Sequence, residues 1–168
     1  QVLIGNLIIA LLCAFVAVIV WWANEVAITQ LTIIDEASAN SLSFLLLIYT
    51  LFAFLSTMYR EIVKDMQDIE GDEQQGCRTL PIATNLLTAK WIAFLFGLTL
   101  VVSLAFPVLQ LLSQQKYLGL SYLNLFIILP LLFSFWQLKR ATNPTDFKQL
   151  SSLIKWIMLG GLGLLFAL

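Results

Sequence analysis

The sequence predicts an all-α integral membrane protein, and three observations support this fold class. Of the 168 residues, 60% are hydrophobic and only 11% carry a charge. The mean hydropathy is +0.92, and the apolar residues fall in long uncharged runs that are typical of membrane spans. These runs lack the alternating polar residues of a barrel wall, which favours helices over membrane β-strands.

Five apolar segments are long enough, or nearly so, to cross a bilayer as helices. A span takes about 20 residues, and about 17 at the short end. We predict spans at approximately 3–23, 42–59, 91–112, 120–138 and 153–168, of which the last is marginal in length. No charged segment precedes the first run, and the run is long enough to span a bilayer, so we expect a membrane span here and not a signal peptide. Because the chain starts and stops near or within apolar runs, we expect it to be part of a longer protein.

The basic residues predict the orientation of the chain in the membrane. If the five spans alternate in direction, eight of the nine Lys and Arg residues share one side: Arg60, Lys64, Arg78, Lys90, Lys139, Arg140, Lys148 and Lys155. Only Lys116 lies on the other side. Positive residues concentrate on cytoplasmic loops. The sequence therefore predicts a multi-pass protein of the cytoplasmic (inner) membrane, with segment 59–82 facing the cytoplasm.

Composition excludes several function classes. The formal net charge is −1 and no basic tract is present, so we expect no nucleic-acid partner. The chain has no His, which excludes a His-based metal site. Its two cysteines fall in different settings, Cys13 in an apolar run and Cys77 in a polar segment, so a structural disulfide is not expected.

Segment 59–82 concentrates the charge of the chain. It holds six of the ten acidic residues, namely Glu61, Asp65, Asp68, Glu70, Asp72 and Glu73. If the second span continues into this segment as a helix, Glu61, Asp65, Asp68 and Asp72 form one stripe, because residues three and four apart share a face. Gly71, Gly76 and Pro81 predict a shaped turn after the stripe.

The stripe of carboxylates is typical of a cation site. Aligned carboxylates repel one another unless a cation holds them together. Mg²⁺ is a hard ion that binds through one or two carboxylates, water and substrate phosphate oxygens. Arg60, Lys64 and Arg78 are able to hold the same diphosphate group. The simpler alternative is a solvated helix next to the membrane, whose acids and bases only pair at the surface.

These residues resemble the second aspartate-rich motif of the UbiA superfamily of intramembrane prenyltransferases, most closely its digeranylgeranylglyceryl phosphate synthase-like members. The matching positions are Tyr59-Arg60-Glu61, Lys64-Asp65, Asp68, Glu70-Gly71-Asp72, Gly76 and Thr79-Leu80-Pro81-Ile82. Gly5 and Asn6 also resemble the start of the family's fifth helix. Five spans with the motif after the second would match helices five to nine of a nine-helix UbiA-type bundle.

The resemblance implies a Mg²⁺ site. In this family, two aspartate-rich motifs together hold Mg²⁺ and a prenyl diphosphate. Carried onto this chain, Asp68 and Asp72 are the implied Mg²⁺ ligands and Asp65 is a third contributor. The first motif of the family does not occur in this sequence, so we expect it on a missing N-terminal half of the same fold.

The resemblance also implies the roles of the remaining motif residues. Lys64 and Arg78 would neutralise the leaving diphosphate, Arg60 would help to bind it, and Tyr59 would face the reacting centre. Departure of the diphosphate leaves a carbocation-like allylic carbon that an acceptor attacks. The implied partners are therefore a prenyl diphosphate, a hydrophobic lipid or aromatic acceptor, and the bilayer.

The expected function is Mg²⁺-dependent prenyl transfer at the cytoplasmic membrane face, and two alternatives stay open. A cation-binding transporter segment would require charged residues deep within the spans, which here are nearly uncharged. A non-catalytic membrane subunit could use segment 59–82 for docking, and it would not require acids at metal-binding spacing.

Overall fold

The computed structural model describes residues 2–164 of the chain. Within them the chain forms ten α-helices and one π-helical turn. The helices are α1 (Ile4–Ala23), α2 (Glu25–Ile34), α3 (Glu36–Gln67), α4 (Ile69–Gln74), α5 (Leu80–Ala83), α6 (Leu86–Ser103), α7 (Ala105–Ser113), α8 (Tyr117–Leu123), α9 (Leu129–Arg140) and α10 (Pro144–Gly163), with the π-helical turn at Asn124–Ile128 between α8 and α9.

Four helical segments in the described part are long and apolar enough to cross a membrane. They are Ile4–Ala23, Glu36–Gln67, Leu86–Ser113 and Tyr117–Arg140, and they cover the first four predicted spans. The predicted fifth span, 153–168, falls partly on residues 165–168, which lie outside the described residues. The described α10 begins with a polar turn and also carries Lys155. The all-α membrane fold is therefore confirmed, whereas the count of five spans is not.

Helix α3 is the centre of the bundle. It runs for 32 residues and packs against α1, α6 and α10. Its buried apolar side chains include Leu55, Met58, Ile62, Val63 and Met66. By contrast, α1 is buried only at Ala10 and Ala14. Small side chains let helix backbones approach closely, which is how membrane helices gain packing energy.

Polar side chains cap the N-terminal ends of three of the long helices. Asp35 accepts a hydrogen bond from the Ser38 backbone N–H at the start of α3, and Asn85 accepts one from Thr88 at the start of α6. In the first turn of α10, the Asp146 carboxylate accepts from the backbone N–H groups of Thr142 and Asn143, which lowers its pKa below the usual range. These bonds satisfy donors that the first turn of a helix leaves unpaired.

Two prolines interrupt the third and fourth spans. A proline removes one backbone donor and crowds the carbonyl four residues earlier. The third span changes from α6 to α7 at Leu104, three residues before Pro107, and the π-helical turn precedes Pro130. The backbone oxygen of Phe126, four residues before Pro130, lies beside Gly160 of α10. The glycine therefore lets α10 approach the distorted turn closely.

Candidate functional site

The acidic segment lies at one end of the bundle, where α3 ends and α6 and α10 begin; we call this the motif end. Helix α3 continues beyond the predicted span 42–59 as far as Gln67. Asp68 then interrupts it, and α4 carries the chain through Gln74. The acidic stripe is thus divided between two helices instead of lying on one.

Asp65 is held in place by a side chain from another helix. The Asn6 amide of α1 donates a hydrogen bond to Asp65 Oδ2 at 2.7 Å. Both side chains are half-buried. The bond ties α1 to the last turns of α3, within the acidic segment.

Asp68 occupies the break between α3 and α4. Its backbone N–H donates to the Lys64 carbonyl at 3.0 Å, and its own carbonyl accepts from the Asp72 N–H at 2.9 Å. The Gln67 side-chain amide donates to Asp68 Oδ1 at 3.0 Å. Asp68 and Asp72 are both half-buried and lie one helical turn apart.

A tight turn follows the two aspartates. Gly76 has a φ of 69°, in the left-handed region that glycine adopts without strain. The Cys77 N–H donates back to the Asp72 carbonyl at 2.8 Å, which closes the end of α4. This turn carries Arg78 to an exposed position at the motif end, and Lys64 is exposed as well.

A groove between α1, α3 and α10 begins near the motif end; we call it the α1–α3–α10 groove. Its volume is about 380 Å³, and its walls are largely apolar. Arg60, Glu61 and Lys155 line its polar end. Arg60 forms an ion pair with the buried Glu61. Thr57 also lines the groove, and its buried hydroxyl has no hydrogen-bond partner within the described residues.

Tyr59 lies apart from this groove. It was predicted to face the reacting centre, but its side chain is completely buried in the core. Its hydroxyl shares a hydrogen bond of 3.0 Å with Ser134 of α9, and its ring packs against Phe135. The neighbouring Gly97 of α6 leaves room for both rings. The reason is geometric: Tyr59 faces α6 and α9, whereas Arg60 and Glu61 face α1 and α10.

The three predicted metal ligands do not form a complete cage in this part of the chain. Among residues 2–164, no three His, Cys, Asp or Glu side chains lie together closely enough to hold an ion. Mg²⁺ needs only one or two protein carboxylates when water and substrate oxygens complete its shell. Each of Asp65, Asp68 and Asp72 supplies hard oxygen donors of this kind, so the chemistry of the individual side chains is compatible with Mg²⁺.

Sequence reasoning missed three polar residues of this region. Asn6 was noted only for its resemblance, and its bond to Asp65 spans 59 positions of sequence. Lys155 and Thr57 lie inside predicted spans, where no local pattern links them to the motif. Only the helix packing shows that Lys155 and Thr57 share a groove with Arg60.

Several curated proteins are similar to this chain. The digeranylgeranylglyceryl phosphate synthase of Methanococcoides burtonii is 46% identical over 59 residues, which are 35% of this chain and 21% of that protein. The synthase of Methanothermobacter thermautotrophicus is 48% identical over 62 residues, 37% of this chain and 21% of that protein. That of Methanosarcina barkeri is 38% identical over 88 residues, 51% of this chain and 29% of that protein.

Each of these matches covers less than a third of the relative's length. No solved structure matches the chain. The family described as the UbiA prenyltransferase family matches residues 1–159, which include the motif, the two helices before it and most of the helices after it. The chain therefore belongs to the UbiA prenyltransferase family.

Proposed function

We propose that this chain is the part of a Mg²⁺-dependent prenyltransferase that carries the second aspartate-rich motif. The observation that supports this proposal is the Asn6–Asp65 hydrogen bond, which orients a carboxylate of the acidic segment at the motif end. A carboxylate that is oriented by a second side chain is typical of a metal-binding group. The membership in the UbiA prenyltransferase family supports prenyl transfer as the reaction class.

In this proposal, Asp68 and Asp72 hold Mg²⁺, and Asp65 contributes from the end of α3. The bound ion supplies positive charge that offsets the charge of the diphosphate. Asn6 orients Asp65 from α1. Since the described residues supply only one side of such a site, the remaining ligands belong to the first half of the family's fold.

The basic residues bind the diphosphate in this proposal. Lys64 and Arg78 are exposed at the motif end, within the same segment as the aspartates. Arg60 lies at the polar end of the α1–α3–α10 groove, where Glu61 holds its guanidinium by an ion pair. Arg binds phosphate oxygens with a planar fork, whereas Lys acts as a mobile point charge. Together they place positive charge where the leaving group gains negative charge.

In this proposal, the prenyl chain lies in the apolar part of the α1–α3–α10 groove, next to its polar end. Its α3 wall runs from Tyr49 to Glu61, which corresponds to about 18 Å at the helical rise of 1.5 Å per residue. In the reaction, the bond between the allylic carbon and the diphosphate oxygen breaks, and the diphosphate keeps the electron pair. The acceptor oxygen forms the new bond to that carbon, and its proton passes to solvent.

We further propose a glycerol-phosphate lipid as the acceptor, with a hydroxyl as the nucleophile. The support is the name that the similar proteins share, digeranylgeranylglyceryl phosphate synthase. A polar lipid of this kind would reach the motif end from the membrane surface. The acceptor class is a more specific proposal than prenyl transfer itself, and different outcomes of the experiment below distinguish the two.

The experiment uses the full-length protein in lipid nanodiscs with labelled geranylgeranyl diphosphate. Geranylgeranylglyceryl phosphate and 4-hydroxybenzoate are offered as acceptors in parallel, with Mg²⁺ or with EDTA. We expect labelled product only with Mg²⁺ and only with the glycerol-phosphate lipid. Transfer to 4-hydroxybenzoate alone would overturn the acceptor class but retain the reaction class. Absence of transfer to both acceptors would favour a non-catalytic membrane subunit.

A further inference from the structure

A second groove lies between α6 and α9, away from the candidate site; we call it the α6–α9 groove. Its volume is about 600 Å³. It is lined mainly by Lys90, Trp91, Phe94, Phe135, Trp136 and Lys139. None of its lining residues is acidic, and none is shared with the α1–α3–α10 groove. The two grooves are therefore separate features of the surface.

The apolar part of the α6–α9 groove is built from aromatic rings. Trp91 is 60% exposed and Trp136 is 49% exposed, so both offer a large surface to a ligand. Phe94 and Phe135 form the deeper contact between the helices, with ring centroids 5.1 Å apart. Tryptophan is enriched where a span meets the membrane surface, because its ring is apolar and its N–H is polar.

Basic side chains cluster at the motif end of the α6–α9 groove. The Lys90 ammonium donates one hydrogen bond to the Ala141 carbonyl, which anchors it beside the end of α9. The same ammonium lies 5.6 Å from the centre of the Phe147 ring, and the Asp146 carboxylate attracts its charge. Lys139 is exposed in the last turn of α9, and the next residue, Arg140, places its guanidinium 4.1 Å from the centre of the Trp136 ring.

We propose that the α6–α9 groove binds an anionic membrane phospholipid. Lys90 and Lys139 receive the phosphate group, and one acyl chain lies along Trp91 and Trp136 towards Phe94. The groove lining includes two lysines and no acidic residue, which favours an anionic headgroup over a zwitterionic one. Basic pockets between membrane helices on the cytoplasmic side bind anionic headgroups in this way. The proposal does not depend on prenyl transfer.

The test uses quenching of tryptophan fluorescence by lipids with brominated acyl chains. The full-length protein is placed in nanodiscs that contain either brominated phosphatidylglycerol or brominated phosphatidylcholine at equal mole fraction. Because Trp91 and Trp136 line the groove, a bound brominated chain quenches them directly. We expect an apparent affinity on the order of tenfold higher for phosphatidylglycerol, given what basic residues contribute near a membrane surface. The double variant Trp91→Phe/Trp136→Phe shows how much of the quenching comes from the groove.

Charge variants decide the outcome. Lys90→Gln/Lys139→Gln removes both proposed phosphate contacts, and we expect it to lose the preference for phosphatidylglycerol. Lys139→Gln alone changes only an exposed side chain, so it keeps the test valid if the double variant fails to fold; we expect it to lose part of the preference. Lys116→Gln/Lys148→Gln is the matched control, with the same change of charge outside the groove, and it should keep the preference. Equal quenching by both lipids, or a preference that survives in Lys139→Gln unchanged, would overturn the proposal.

Discussion

Asn6 and Asp65 join the first and third helices at the motif end. The Asn6 Nδ2 atom lies 2.7 Å from Asp65 Oδ2, across 59 positions of sequence. The bond engages one of the two carboxylate oxygens of Asp65. It makes α1 a support for the acidic motif, in addition to its role as a membrane span.

The first prediction concerns this support. Replacing Asn6 with Ala removes the donor that orients Asp65, and we expect the Mg²⁺ concentration for half-maximal prenyl transfer to rise about 10- to 100-fold. Asn24→Ala is the matched control, because Asn24 lies at the other end of α1 and bonds to the Val20 carbonyl of its own helix. An unchanged Mg²⁺ dependence in Asn6→Ala would show that Asn6 does not support a metal ligand.

The second prediction separates structure from binding at the Arg60–Glu61 ion pair. The side chains are 29% and 9% exposed, so Arg60→Gln leaves the Glu61 charge largely buried without its partner. We expect a loss of about 1–3 kcal/mol in the free energy of unfolding and a higher KM for prenyl diphosphate. In the double variant Arg60→Gln/Glu61→Gln, stability should recover while the KM stays high. Recovery of both quantities would mean that Arg60 only compensates the charge of Glu61.

The third prediction follows from the burial of Tyr59. Tyr59→Phe removes the hydroxyl that shares a hydrogen bond with Ser134 but keeps the ring against Phe135. We expect the protein to lose about 0.5–1.5 kcal/mol of stability and to keep a turnover near that of the wild type. The measurements are thermal unfolding in detergent and steady-state kcat. A large loss of kcat with unchanged stability would restore the catalytic role that the sequence suggested.

The fourth prediction concerns the isolated chain of residues 1–168. We expect it to show no prenyl transfer, because in the proposed site a diphosphate with its Mg²⁺ needs ligands from two sides, and the aspartates of this chain would supply only one. Co-reconstitution with the first half of the fold should restore transfer, since complementary membrane helices reassemble within a bilayer. Robust transfer by the isolated chain would mean that the catalytic site lies elsewhere.

The sequence predicts the parts of this protein that depend on local pattern. The uncharged runs mark the first four spans, and the spacing of Asp65, Asp68 and Asp72 marks the motif. It does not predict the break at Asp68. Acidic residues at helical spacing give the same sequence pattern whether they lie on one helix or on two consecutive helices. Nor does it predict the burial of Tyr59, since the direction of a side chain on α3 depends on which helices pack on each face.

The features that the sequence does not predict are mainly contacts between residues that are far apart in the chain. The bond from Asn6 to Asp65 and that from Lys90 to Ala141 each join different helices. No local pattern encodes these bonds, because they depend on the order and tilt of the packed helices. The same is true of the α6–α9 groove. From the sequence, its lysines are only two of the eight basic residues expected on one side of the membrane.

The most direct test of the account compares two acidic residues of the same segment. Asp68→Asn removes one charge from the proposed Mg²⁺ site, whereas Glu73→Gln removes one charge from an exposed position of α4. The measurement is Mg²⁺-dependent prenyl transfer by purified full-length protein at saturating prenyl diphosphate, with helical content and monodispersity checked in both variants. We expect Asp68→Asn to lose at least about a hundredfold in turnover, and Glu73→Gln to resemble the wild type. Near-normal turnover of Asp68→Asn would contradict the proposal that the aspartate-rich motif holds the metal.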